Sequence, residues 1–67
     1  MTHPYYVEHI YLWSDGKPQV RRYDYATLDE AEDRMARLRE HPGTTRIVLR
    51  RRGPRRNHAT TLKVVVT

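Results

Sequence analysis

Five arginines fall between positions 50 and 56, inside the stretch LRRRGPRRNH that runs from Leu49 to His58. A guanidinium is planar, permanently charged and able to grip two phosphate oxygens at once. Arg50, Arg51, Arg52, Arg55 and Arg56 therefore offer one chemistry above all, the binding of phosphates or carboxylates. Asn57 and His58 add further donors beside them. The chain holds 13 Lys+Arg against 8 Asp+Glu, a formal charge of +5. Without those five arginines the balance is eight against eight, so the whole excess lies in one short segment. Such concentration favours a local electrostatic purpose over general basicity. Contacts to phosphate position a protein without reading sequence, and their affinity falls steeply with salt. The bland alternative is a hairpin end carrying solubilising charge, since one short basic run is a weak motif.

Catalytic and metal chemistry have little support. Ser14 is the only serine and falls in a turn, and the absence of cysteine removes thiol nucleophiles, disulfides and thiolate metal sites. It also leaves the redox compartment unspecified. The acidic pairs Asp29-Glu30 and Glu32-Asp33 have arginines one helical turn on, which reads as a solvated helix face rather than an acid/base pair. His3, His9, His41 and His58 lack the spacing of a metal site and read as structural or surface histidines. The three glycines are isolated turn residues, not a phosphate loop. The expectation is a non-enzymatic protein with no metal and no cofactor.

The elements that must position the arginines can be read in order. Residues 5–13, YYVEHIYLW, are β-branched and aromatic enough for a strand, and Ser14-Asp15-Gly16-Lys17 supplies a hairpin signal. The return strand runs over about 19–25. A three-residue loop at Ser14-Asp15-Gly16, with Gly16 left-handed, sets Ile10 opposite Val20 and Glu8 opposite Arg22. Those apolar and opposite-charge pairs favour it over a two-residue Asp15-Gly16 turn. Residues 27–40, TLDEAEDRMARLRE, predict a helix. Thr27 and Glu30 have capping-box spacing, the hydroxyl accepting from the Glu30 amide and the carboxylate reaching back to the Thr27 amide. Leu28, Ala31, Met35 and Leu38 form one apolar stripe. Glu30–Arg34 and Asp33–Arg37 are spaced as ion pairs, and His41-Pro42-Gly43 ends the helix. A third strand is expected over 45–51 with Ile47 and Leu49 on one face. Gly53 and Pro54 turn the chain into a fourth over 60–67, where Leu62, Val64 and Val66 face one way and Val65 the other, as in an interior strand.

The plan is α+β, ββαββ: a four-stranded, antiparallel-rich sheet with one helix packed on one face, forming a single domain over residues 1–67. A domain of this size buries only about 60% of the surface its unfolded chain exposes. One helix cannot cover both sheet faces, yet the first strand is apolar on both, with Ile10 and Leu12 on one side and Val7, Tyr11 and Trp13 on the other. One set should lie outside the core, and a homodimer interface is the cheapest use for it. Tyr11 and Trp13 are the candidate interface aromatics. Tyr5, Tyr11, Trp13, Tyr23 and Tyr25 share one face in the preferred register, where they are either core or dimer seam, or a platform for unpaired bases. The N-terminal stretch has no secretory pattern and no run is long enough for a membrane span, so a cytoplasmic protein without membrane contact is expected.

The stretch YDYATLDEAEDRMARLREHPGTTRIVLRRR, residues 23–52, resembles a pattern found in small phage and actinobacterial proteins of unassigned function. Its marks are the capped helix start at Thr27-Leu28-Asp29-Glu30-Ala31 and the approach to the third strand from Gly43 to Ile47. The ββαββ plan as a whole resembles small phage-encoded anti-CRISPR proteins, which block an RNA-guided complex through charged surface residues. The resemblance carries no functional residue across, and the arginine-rich tip departs from it. It implies an inhibitor acting by protein–protein contact through the open sheet face or a dimer surface. The residues themselves point first to a binding module in which Arg50, Arg51, Arg52, Arg55, Arg56 and His58 engage nucleic-acid phosphates or an acidic protein or nucleoprotein groove.

Overall fold

Chain order gives β1 (Tyr5–Leu12), β2 (Pro18–Tyr25), α1 (Leu28–Leu38), β3 (Thr44–Arg52) and β4 (Ala59–Val66). The structure, a computed structural model, describes residues 3–55 and 58–66. Arg56, Asn57 and the end of the expected fourth strand at Thr67 lie outside the described residues. All four strands join one antiparallel sheet in the order β2-β1-β3-β4, with α1 laid across β2, β1 and β3. The ββαββ architecture is as expected.

The first hairpin follows its local signals. Ile10 pairs with Val20 and Glu8 with Arg22. Trp13 N–H donates to Lys17 O at 2.9 Å, enclosing the three-residue loop Ser14-Asp15-Gly16, and Gly16 is left-handed at φ +82°. The Asp15 carboxylate accepts from Lys17 N–H at 2.9 Å, fixing the loop from within.

Helix α1 starts at its Thr27 cap, whose hydroxyl accepts from Glu30 N–H at 3.3 Å. The Glu30 carboxylate then accepts from that same hydroxyl at 2.9 Å, rather than from the Thr27 amide. Asp33 and Arg37 pair as spaced, at 3.4 Å. The expected Glu30–Arg34 pair is not made. Arg34 Nε donates instead to the Tyr25 hydroxyl at 2.7 Å and its guanidinium lies 5.1 Å from the Tyr23 ring centre. Glu30 is held at the cap, so Arg34 finds its partners on β2. At the far end His41 N–H donates to Leu38 O at 3.1 Å and Gly43 turns left-handed into β3.

The helix stripe Ala31, Met35 and Leu38 packs on Val7, Ile47 and Leu49, and Tyr5, Tyr23, Tyr25, Leu28 and Val65 close around them. Three of the five aligned aromatics, Tyr5, Tyr23 and Tyr25, thus pack against the core. Pairing partners define three rows on this side: Tyr25–Tyr5–Arg51, Tyr23–Val7–Leu49 and Arg21–His9–Ile47. The other side carries Asp24–Tyr6–Arg50, Arg22–Glu8–Val48 and Val20–Ile10–Arg46. It has no helix over it, so Ile10 and Leu12 are the set left outside. Leu12, Val20, Val64 and Val66 are all exposed.

The reading of β4 as an interior strand needs correction. β4 pairs only with β3 and forms a sheet edge, its residues exposed apart from the partly buried Val65. From Val64 to Val66 the alternation is as expected, with Val65 toward the core and Val64 and Val66 away, while a register shift leaves Leu62 without a pairing partner on β3. Apolar character on both faces does not distinguish an interior strand from an edge strand at the margin of a small core. The interior places go to β1 and β3, which pair with each other.

Candidate functional site

Strand geometry divides the arginine segment. Successive side chains of a strand point to opposite faces, and β3 extends through Arg52. Arg50 therefore lies on the open face, where Nη1 meets the Glu8 carboxylate at 2.9 Å. Its Nε is buried without a partner. Arg52 shares that face and is held from three sides. It donates to His3 O, pairs with Asp24 at 2.7 Å, and covers the Tyr6 ring with its guanidinium 4.8 Å from the ring centre. Arg22 covers the same ring at 5.2 Å, which explains how Tyr6 is buried on a face that no helix protects. Arg50 and Arg52 are thus parts of the fold as well as of the charge cluster.

Arg51 turns the other way, 6.0 Å from the Tyr5 ring centre at the edge of the helix side. Among the described residues no carboxylate pairs with Arg51 or Arg55. Arg55 lies in the turn, where its carbonyl accepts from His58 N–H at 3.1 Å while Gly53 N–H donates to His58 O at 2.6 Å. Gly53 and Pro54 form the expected bend between β3 and β4. A groove of about 520 Å³ runs over this end, lined by Arg51, Arg52, Gly53, Pro54, His58 and Thr60. Arg51, Arg52 and His58 thus share one concavity, while Arg50 stays on the sheet face.

At the opposite end of the sheet lies a second cluster, in which sequence reasoning gave a role to Tyr11 and Trp13 but none to His9, His41 or Thr44. His9 is buried, and its Nε2 lies 2.7 Å from the Thr44 hydroxyl. That hydroxyl donates to Leu38 O at 3.0 Å. A carbonyl cannot donate, so the Thr44 oxygen accepts from His9, which assigns the proton to Nε2. Tyr11 stacks on His9 with centroids 4.8 Å apart and 23° between planes, and His41 meets His9 edge-on at 5.3 Å. Tyr11, expected at an interface, is buried here, and Trp13 stands exposed beyond it. A cleft of about 340 Å³ opens among these rings, with Arg21 and Tyr23 also lining it. The Tyr23 phenol, with Tyr11 behind it, holds the Arg21 guanidinium above its ordinary pKa. Alternation from Tyr5 already places His9 and Tyr11 on one face, but Thr44 and His41 reach them only through the β1–β3 pairing.

Burial first, and the neighbouring His41 second, push the His9 pKa below its ordinary 6.5. The unfolded chain therefore binds the more protons in the window just below pH 6.5. Stability is full above that value and falls as pH drops through the lower, folded-state pKa. Urea midpoints measured between pH 7.5 and pH 5 should decline on acidification, and His9→Phe should flatten the decline. An unchanged slope in His9→Phe would assign the effect to other groups.

Among the described residues no three His, Asp or Glu side chains gather to hold a metal ion, and no helix is long and apolar enough to cross a membrane. No protein-family model, curated protein or solved structure matches the chain. The site's own chemistry carries the functional argument.

Proposed function

We propose that the protein is a small cytoplasmic, non-enzymatic binding module whose β3–β4 end engages nucleic-acid phosphates. One observation carries this reading. Among the described residues Arg51 and Arg55 have no carboxylate partner, and they belong to the sequence stretch 50–56 that carries the whole formal excess of charge. His58 lines the same groove as Arg51 and adds a donor, while Arg52, also in its wall, is already held by Asp24 and His3 O. Cations tied into internal pairs can contribute only by leaving them, whereas Arg51 and Arg55 can meet phosphate at once.

The test is a salt titration of binding to generic duplex and single-stranded nucleic acid. Affinity should fall log-linearly with salt, and Arg51→Ala/Arg55→Ala should lower the magnitude of that slope by about two. Circular dichroism of the same variant should show an intact fold, because neither side chain pairs with a carboxylate among the described residues. Absence of binding at low salt would sink the reading.

A second reading, an inhibitor of the anti-CRISPR kind working by protein–protein contact, is supported by a different observation. The open face presents Leu12, Val20, Val64 and Val66 around its ion pairs, an apolar surface that a second copy or a target protein can cover. Val20→Asp should abolish such capture and leave phosphate binding at the arginine end intact.

A further inference from the structure

The cleft at the β1–β2 end combines aromatic rings and one accessible cation in a small volume. Tyr11 and Trp13 are two residues apart, with ring centres 6.2 Å apart and planes 56° from each other. His41 approaches Tyr11 edge-on at 5.8 Å. Trp13 is 55% exposed and lines the cleft, so part of a large indole is open to a ligand there. Arg21 is the register partner of His9 on β2, which brings its guanidinium to the same side. Among the described residues it pairs with no carboxylate.

We infer that this cleft binds a nucleotide, its unpaired base on the exposed Trp13 ring beside Tyr11 and its phosphate on Arg21. The volume of about 340 Å³ lies near the lower limit of small-molecule sites, roughly 300–1,000 Å³, and suits one nucleotide rather than a larger ligand. Rings provide π-faces that accept any base, and stacking on them is sequence-tolerant. The guanidinium selects an anion and can hold phosphate through two oxygens. Buried His9 adds no second charge, since its Nε2 proton is committed to Thr44 and burial disfavours another. An aromatic ligand carrying an anion satisfies both halves of the cleft. A nucleotide provides that combination either free or as one unit of a single strand.

The site lies at the end of the sheet away from Arg51, because Tyr11 pairs near Thr44 while Tyr5 pairs with Arg51. It is therefore independent of the phosphate contacts proposed for the β3–β4 end. Trp13 is the only tryptophan, so its emission reports directly on the cleft. The full chain would be titrated with uridine, with uridine monophosphate and with an eight-residue oligouridylate. Saturable quenching by the monophosphate is expected, with uridine binding about tenfold weaker for want of the charged contact. Arg21→Gln should bring the monophosphate to the affinity of the nucleoside. An oligouridylate that binds more tightly than the monophosphate assigns the site to single strands, and equal affinity assigns it to free nucleotides. No saturable quenching by any of the three overturns the inference. So does quenching by the monophosphate that is identical in Arg21→Gln. Duplex binding and its salt slope read the arginine end separately, so either site can fail without the other.

Discussion

Ile47→Ala is expected to lower stability by about 2–5 kcal/mol. Ile47 is fully buried at the centre of the sheet, between His9 on β1 and Val65 on β4, within the cluster that α1 covers. Truncation removes apolar surface from the core and leaves a cavity that a sheet paired on both sides cannot collapse to fill. At about 0.05–0.15 kcal/mol per residue, a chain of 67 residues has a total stability of roughly 3–10 kcal/mol. The substitution therefore removes a large share of the whole. Urea unfolding followed by circular dichroism would measure it, and a loss below about 1 kcal/mol would contradict this account of the core. Val66→Ala, on the exposed margin of β4, serves as the mild comparison.

The second large effect is expected at Gly43, and Gly16 calibrates it. Both are left-handed, at φ +83° and +82°. A Cβ added to Gly16 meets nothing within 4 Å, so Gly16→Ala isolates the backbone penalty, about 1–2 kcal/mol. A Cβ added to Gly43 falls 3.0 Å from Leu12 O, a backbone atom that cannot swing aside. Relief requires the loop after α1 to move away from β1, and the Leu12 N–H to Gly43 O bond of 2.9 Å lies in its path. Gly43→Ala should thus cost the backbone penalty plus about 1–3 kcal/mol for strained or broken contacts. Equal losses at the two glycines would show that the approach of Leu12 to Gly43 has no energetic weight.

Local chemistry made much of this fold readable. The hairpin register follows from Asp15-Gly16 and from the Ile10–Val20 and Glu8–Arg22 pairs, all within one short stretch. The helix follows from the Thr27 cap and a stripe of four apolar residues. Strand order was harder, because the β1–β3 pairing joins Tyr5 to Arg51 and nothing near either residue specifies the other. That pairing also makes β4 an edge and brings Thr44 to His9. The Arg34 choice between Glu30 and Tyr25 was a competition whose second partner lay off the helix.

The arginine segment shows a different limit. A count along the chain treats Arg50, Arg51 and Arg52 as one patch, while a strand sends them to two faces. That division was already implicit once Ile47 and Leu49 had been placed on one face, since Arg51 must then share it and Arg50 must not. The sequence could not show that Glu8 and Asp24 wait on the open face for Arg50 and Arg52. Those carboxylates come from other strands, and they separate the arginines held within the sheet from those available to a partner.

The central position of β1 also has a kinetic consequence. Its pairing with β2 closes a short loop, and hairpins of that kind form in about 1–10 μs. Its pairing with β3 has to wait for a much longer closure, with α1 in between, and such non-local contacts slow folding. Until β3 arrives, β1 presents a row of unpaired amides and carbonyls, flanked by Tyr6, Val7 and Ile10, to any extended segment nearby. The interval between hairpin closure and the docking of β3 is thus the stage at which this chain is most open to pairing with the wrong strand.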